Sequence, residues 1–155
     1  DEVIVPSFTF FATASAVTRL GAKPVWVDID PITFNIDPSL IEEKVTERTK
    51  AILPVHLHGH PADLDPILDI ARRHKLIVIE DAAQALGARW LGKPVGTNGD
   101  YGLYSLGPGK PLSTGGGGIA IANKEKDIPR LEKWWRRLPH SAGTRSAAAW
   151  RALGD

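Results

Sequence analysis

Cysteine and methionine are both absent from this chain of 155 residues. Without cysteine there is no disulfide framework and no thiolate metal site, and the redox compartment stays open. No apolar run reaches the ~18 residues that a membrane-spanning helix needs. The opening Asp1-Glu2-Val3-Ile4-Val5 lacks the basic start of a signal peptide. Neither sign of charge dominates: 19 Lys and Arg stand against 18 Asp and Glu, which recommends neither nucleic acid nor an anionic membrane as partner. Internal repeats and low-complexity linkers are absent too. A first residue inside an apparent strand and a tail rich in Ala and Arg lead us to expect an internal piece of a longer protein.

What is there alternates. Short apolar runs at residues 3–5, 24–27, 51–55, 76–79, 102–105 and 119–122 read as strands. The run Leu76-Ile77-Val78-Ile79 is apolar throughout, as in a parallel strand covered on both faces. Helices are expected between them. Residues 11–20 are Ala-rich and end at Gly21, a good C-cap. Asp37-Pro38 would cap a helix over 39–45. Asp63 would cap one over 64–74, where Leu64, Ile67, Leu68, Ile70 and Ala71 form a stripe. A last helix is expected over 128–138. Strand and helix in alternation predict right-handed βαβ units, a mostly parallel sheet and an α/β class of three layers, α/β/α. Ligands of such sheets bind beyond the carboxyl ends of the strands, which directs attention to residues 6–11, 28–30, 56–60, 80–84 and 105–110.

Four constellations there could carry chemistry. Glu80-Asp81-Ala82-Ala83-Gln84 follows the most apolar strand; an acid there can face a ligand, and can equally be a helix cap. Tyr104-Ser105-Leu106-Gly107-Pro108-Gly109-Lys110, with Gly115 to Gly118 beyond, sets one lysine among residues that open space. A lysine in such a setting suits Schiff-base chemistry, and a glycine-rich loop offers N–H groups to a phosphate; a mobile surface loop is the plain alternative. A nucleotide P-loop is excluded by spacing, because Tyr104 stands where glycine is needed and Pro111 where Ser or Thr is needed. His56, His58 and His60, with Asp63 nearby, would share one face if the strand ran through them, giving a metal-dependent hydrolase as an alternative. Asp28 and Asp30 read as an ordinary loop after a strand, or as a holder of a metal–sugar-nucleotide complex.

In order along the chain, Pro6-Ser7-Phe8-Thr9-Phe10-Phe11-Ala12-Thr13, Gly21-Ala22-Lys23-Pro24-Val25, Pro54-Val55-His56-Leu57-His58-Gly59, Glu80-Asp81-Ala82-Ala83-Gln84-Ala85 and Gly99-Asp100, then Ser105, Lys110 and Thr114 to Gly118, resemble the DegT/DnrJ/StrS sugar aminotransferases. These are fold-type-I enzymes that use pyridoxal 5′-phosphate. The resemblance covers roughly residues 1–127 and implies the core of the large cofactor-binding domain, with 128–155 leading by a helix toward a small domain beyond Asp155. A phosphate-holding Ser-Gly-Thr-like loop would precede Asp1, so the isolated chain is expected to bind cofactor weakly and to be inactive.

The resemblance also implies roles. Lys110 matches the lysine that forms the Schiff base with the cofactor, and Asp81 the acid paired with the pyridine nitrogen. Gln84 matches the residue near the phenolic oxygen, Phe10 the aromatic that stacks on the ring, and Ser105 the phosphate-binding hydroxyl. Asp81 would keep the ring an electron acceptor while Lys110 shuttles a proton. The cycle would pass an amine from glutamate, the family's habitual donor, to a keto sugar linked to a nucleotide. No metal is assigned. A cytoplasmic homodimer with interfacial active sites is the family habit.

The chain departs from that pattern at Leu106-Gly107-Pro108-Gly109, where aromatic and His-Pro-Thr-like residues are common, at Pro111 in place of asparagine, and at Gly116 in place of an acid. These departures bear on substrate contacts and leave Lys110 and Asp81 standing. Two rivals follow from the same residues. A dehydratase relative would carry histidine in place of Lys110. A catalytically degenerate member would act as a ligand-binding or regulatory protein.

Overall fold

The computed structural model describes residues 1–137. Its sheet of six strands runs in the order β2-β1-β3-β4-β7-β8. In chain order these are β1 (Glu2–Pro6), β2 (Lys23–Val27), β3 (Thr49–Ile52), β4 (Ile77–Asp81), β7 (Tyr101–Ser105) and β8 (Gly118–Ala122). The strands β5 (Arg89–Trp90) and β6 (Lys93–Pro94) form a separate small hairpin. Every pairing in the main sheet is parallel except β7 with β8.

Alternation along β1 shows how the layers arise. Ile4 packs in one cluster with Ile52, Val78 and the helix residues Ile67, Ile70 and Ala71. Its neighbour Val5 packs in the other, with Val17, Val55 and Leu57. Successive strand side chains leave opposite faces. Helix α1 (Ala12–Arg19), which carries Val17, and helix α2 (Leu64–His74), which carries Ile67, therefore lie on opposite sides of the sheet. That is the expected three-layer α/β/α arrangement. Each fully buried Ile or Val contributes about 1.5–3 kcal/mol of transfer free energy, and the two clusters share the strands between them.

Several local expectations shift by a definite cause. The helix expected over 39–45 is two turns of 3-10 helix, Pro38–Leu40 and Glu42–Lys44, divided at the fully buried Ile41. Seven residues are too few to propagate an α-helix without help. Asp37 does cap the first turn, its carboxylate accepting from the N–H of Ser39 at 2.9 Å. Asp63 precedes α2 as expected but makes no capping hydrogen bond. Helix α1 reaches Arg19, and Gly21 takes the left-handed φ of +74° that ends it. Strand β3 stops at Ile52, short of the expected Val55, because Pro54 has no N–H to give the ladder. Ile77 stays 38% exposed, so the run 76–79 is not covered at its start. Helix α3 spans Ile128–Trp135; Leu138 and the tail 139–155, with Trp150, lie outside the described residues. The β5–β6 hairpin, turning on Leu91 and Gly92 with φ of 47° and 83°, has no strong pattern in the sequence. Its two positive φ values match the twist of a two-residue hairpin.

Strand β4 runs two residues further than its apolar run, and this separates the acid pair. Glu80 is fully buried. Its carboxylate accepts from the N–H groups of Gly96 at 2.7 Å, Asn98 at 2.5 Å and Gly99 at 2.6 Å. His56 Nε2 stands 3.1 Å away. His56 Nδ1 accepts from the N–H of Ala62 at 3.0 Å, so the ring proton sits on Nε2 and is donated to Glu80. The turn held by Glu80 also receives the Tyr104 hydroxyl, which donates to the Val95 carbonyl at 2.5 Å. Burial pushes the Tyr104 phenol up, and Glu80 adds to this.

Burial by itself would raise the Glu80 carboxyl, but the bonds from His56, Gly99 and Gly96 outweigh it and hold it below its ordinary 4.5. A group whose native pKa is depressed binds fewer protons when folded, so its stabilisation is present above its ordinary value and disappears as the pH falls through the native one. Glu80→Gln is expected to destabilise the protein near neutrality, and the gap to the parent should narrow as the pH drops below about 4.5; denaturant midpoints across that range measure it. Gly102 in β7 abuts the same turn, and a Cβ there would stand 1.9 Å from the Gly96 carbonyl oxygen. Since Gly102 is fixed in the β7 ladder and Gly96 is tied by its N–H to the buried Glu80 carboxylate, Gly102→Ala is expected to cost about 3 kcal/mol or more in equilibrium unfolding.

Candidate functional site

Because β1, β3, β4 and β7 are parallel neighbours, their carboxyl ends share one rim of the sheet. Phe10 follows β1, the histidines follow β3, Asp81 ends β4 and Ser105 ends β7. Residues 106–117 then loop from β7 to β8 and carry Lys110.

Asp81 is 9% exposed and held on every side. Its Oδ2 accepts from the Thr13 hydroxyl at 3.0 Å and its Oδ1 from the N–H of Ala83 at 3.0 Å. Its own N–H donates to the Pro54 carbonyl at 2.9 Å, and its carbonyl accepts from the N–H of His56 at 3.0 Å. A carboxylate has about four lone-pair sites, so two donors leave room for a third.

Thr13 is the link to the aromatic segment. It lies in the first turn of α1, and its N–H donates to the Phe10 carbonyl at 3.1 Å. Phe10 itself is 60% exposed and leans on Phe11, ring centroids 4.7 Å apart. Gln84, half-buried, accepts at Oε1 from the N–H of His58 at 2.9 Å. With that oxygen engaged, its amide nitrogen is the side-chain donor that remains.

Ser105 Oγ accepts from the N–H of Gly107 at 3.3 Å. The loop beyond is pinched at its base, where Leu106 donates to the Gly117 carbonyl and accepts from the N–H of Thr114, both at 3.0 Å. Lys110 sits inside that closed loop, half-buried, its N–H turned to the Gly107 carbonyl at 3.3 Å. Its ammonium has no hydrogen-bond or ion-pair partner among the described residues. Gly109, Gly115 and Gly116 have no atom within 4 Å of where a Cβ would stand, so the loop borders open space.

The structure thus joins Asp81 to the Phe10 segment and Gln84 to the loop after β3, and roots Ser105 and Lys110 in the strand beside Asp81. No hydrogen bond joins Lys110 to Asp81 among the described residues. The histidine trio does not share a face, since β3 ends before it and residues 57–59 form a 3-10 turn with His58 at a left-handed φ of 54°. His56 is buried with both nitrogens committed, whereas His58 and His60 are exposed. No group of three or more His, Asp or Glu able to hold a metal occurs among the described residues. Asp28 and Asp30 do what loop acids do: Asp28 accepts from the Ser7 hydroxyl at 3.0 Å, and Asp30 gathers the N–H groups of Ile32 and Thr33.

Sequence reasoning did not single out Thr13 or the Glu80–His56 pair. Each partner lies far away in the chain, Thr13 being 68 residues from Asp81, and no local periodicity encodes such a contact.

Comparison with known proteins agrees with this architecture. The chain is 58% identical over 127 residues to the pleiotropic regulatory protein of Geobacillus stearothermophilus, covering 81% of this chain and 34% of that protein. It is 54% identical over 125 residues to GDP-perosamine synthase of Caulobacter vibrioides, again 81% and 34%. It therefore spans about a third of the length of the curated relatives it matches. Among solved structures, an aminotransferase from Psychrobacter cryohalolentis superposes with a TM-score of 0.84 at 40% identity, over 94% of this chain and 40% of that one. NtdA from Bacillus subtilis, solved with bound cofactor PMP, gives 0.74 at 46% identity, over 81% and 28%. The sequence profile of the DegT/DnrJ/EryC1/StrS aminotransferase family matches residues 1–144. The chain belongs to that family.

Proposed function

We propose that the protein containing this chain is a pyridoxal-phosphate-dependent aminotransferase that moves an amino group from glutamate to a nucleotide-linked keto sugar. The observation that carries the reading is the shared rim: a nearly buried, doubly hydrogen-bonded carboxylate, an exposed aromatic residue tied to it through Thr13, and an amine without a partner among the described residues, in the glycine-rich loop that follows the adjacent strand.

Their chemistry fits the cofactor's functional groups. The spare acceptor capacity of Asp81 suits the ring nitrogen, and Phe10 offers a flat apolar face. The amide nitrogen of Gln84, which has no partner among the described residues, suits the phenolic oxygen. Ser105 Oγ and the loop N–H groups suit the phosphate, and the amine of Lys110 suits the aldehyde. When bound, the cofactor supplies an electron sink for the pair left as a proton departs. Asp81 orients the ring and opposes its positive nitrogen. Lys110 Nζ would be the group that takes a proton from the carbon bearing the amine, as base, and that later gives one back, as acid. Residues 1–127 would supply this cofactor face and 128–155 the passage toward a further domain, in a cytoplasmic homodimer.

A second reading, a ligand-binding regulator without turnover, draws on the name of the Geobacillus relative, a regulatory protein, and on Gly116 and the 106–109 segment. Transfer of amine from glutamate to a keto-sugar nucleotide by the full-length protein dismisses it.

Full-length protein mixed with cofactor is expected to show the absorption band of a lysine-bound chromophore, and Lys110→Ala should abolish it. A band that survives this substitution sinks the assignment. Asp81→Asn is expected to lower turnover by about a hundredfold or more, measured as kcat at saturating donor and acceptor.

A further inference from the structure

Thr13 is 5% exposed, and its hydroxyl lies 3.0 Å from Asp81 Oδ2 and 3.1 Å from the Thr9 hydroxyl. A threonine hydroxyl has a single proton. The carboxylate accepts and does not donate, so that proton goes to Asp81. Thr9 must then be the donor to Thr13. The result is a directed chain, Thr9 to Thr13 to Asp81, in which each bond polarises the next.

The same short segment also sets the aromatic ring. Phe10 lies between the two threonines, and its carbonyl accepts the Thr13 N–H. The terminal torsion of an aspartate is otherwise broad and roughly two-fold. Here Thr13 holds Oδ2 while the N–H of Ala83 holds Oδ1, so rotation of the carboxylate plane is arrested from both sides. Ala83 fixes one oxygen from the loop that Asp81 itself begins. Thr13 fixes the other from the far side of the chain, and a side chain rather than the backbone provides that bond.

We propose that Thr13, oriented by Thr9, is a positioning residue that fixes the plane of the Asp81 carboxylate and couples it to the Phe10 ring, so that edge and face contacts to one heterocycle are set together. This rests on the role proposed for Asp81. Thr13 would act through Asp81, to which its hydroxyl is bonded.

The test uses the full-length protein in its cofactor-free form, titrated with pyridoxamine phosphate, which reports ring contacts without the Lys110 bond. Thr13→Val removes the hydroxyl at constant shape. A hydrogen bond to a charged group is of a size to weaken binding about tenfold to a hundredfold, and a rise of that order in Kd is expected, with a shift of the bound chromophore's absorption. Thr13→Ser should restore both. In an Asp81→Asn background, Thr13→Val should have almost no further effect, because the group it acts through is gone.

If the two substitutions weaken binding independently, or if Thr13→Val lowers only the melting temperature and leaves Kd unchanged, the inference is overturned. If Asp81→Asn alone leaves Kd unchanged, the role of Asp81 falls first, and that result is distinct from additivity. Should Thr13→Val fail to fold, Thr9→Val in the same cycle takes its place: a smaller loss that vanishes with Asp81→Asn supports the chain, and an unchanged or additive one rejects it.

Discussion

Two adjacent acids at the end of β4 leave the strand on opposite faces, and the site depends on that separation. Glu80 turns inward and is saturated by three backbone N–H groups and His56. A buried carboxylate left short of donors would cost several kcal/mol, so the turn 94–99 and the loop after β3 are constrained to close around it. Once they have closed, the strand end cannot twist or slip by one residue, and Asp81 must face the other side. There it meets α1, the helix on that side of the sheet. The interior acid thus dictates where its neighbour stands.

The layers supply the rest of the constraint. Parallel pairing of β1, β3, β4 and β7 places four loop origins side by side, and clusters on both faces of the sheet keep them there. A loop rooted in such a strand inherits the position of its root. This is how residues as distant as Phe10, Gln84, Ser105 and Lys110 come to border one rim with only a few direct bonds between them. The loops themselves are left open, with glycines whose surroundings are empty at 109, 115 and 116, consistent with a region meant to receive something rather than to fill a core.

The metal-hydrolase alternative shows how a local pattern misleads. Histidines at alternate positions share a face only while the chain stays extended, and after a last parallel bridge between Val55 and Asp81 the chain turns into the 3-10 segment 57–59. His56 then becomes a core residue with both nitrogens used, and the other two point the loop toward solvent. Asp28 and Asp30 are likewise occupied locally: Asp30 Oδ1 closes its own turn on Ile32 and Thr33, and Asp28 Oδ1 takes the N–H of Ile29 and the hydroxyl of Ser7.

Periodicity and composition were enough to place the α/β class, the parallel sheet and most of its strands, because those depend on apolar spacing that can be counted along the chain. The ordered motifs likewise pointed to Asp81 and Lys110, since residue type at fixed spacing is a property of the sequence. Neither could show that Glu80 is interior, that the 39–45 segment breaks at Ile41, or that Thr13 grips Asp81 from 68 residues away. Those are outcomes of packing: whether a polar group is a surface acid, a cap or a buried anchor is decided by which distant donors arrive beside it, and distance along the chain carries no record of that until the sheet has formed.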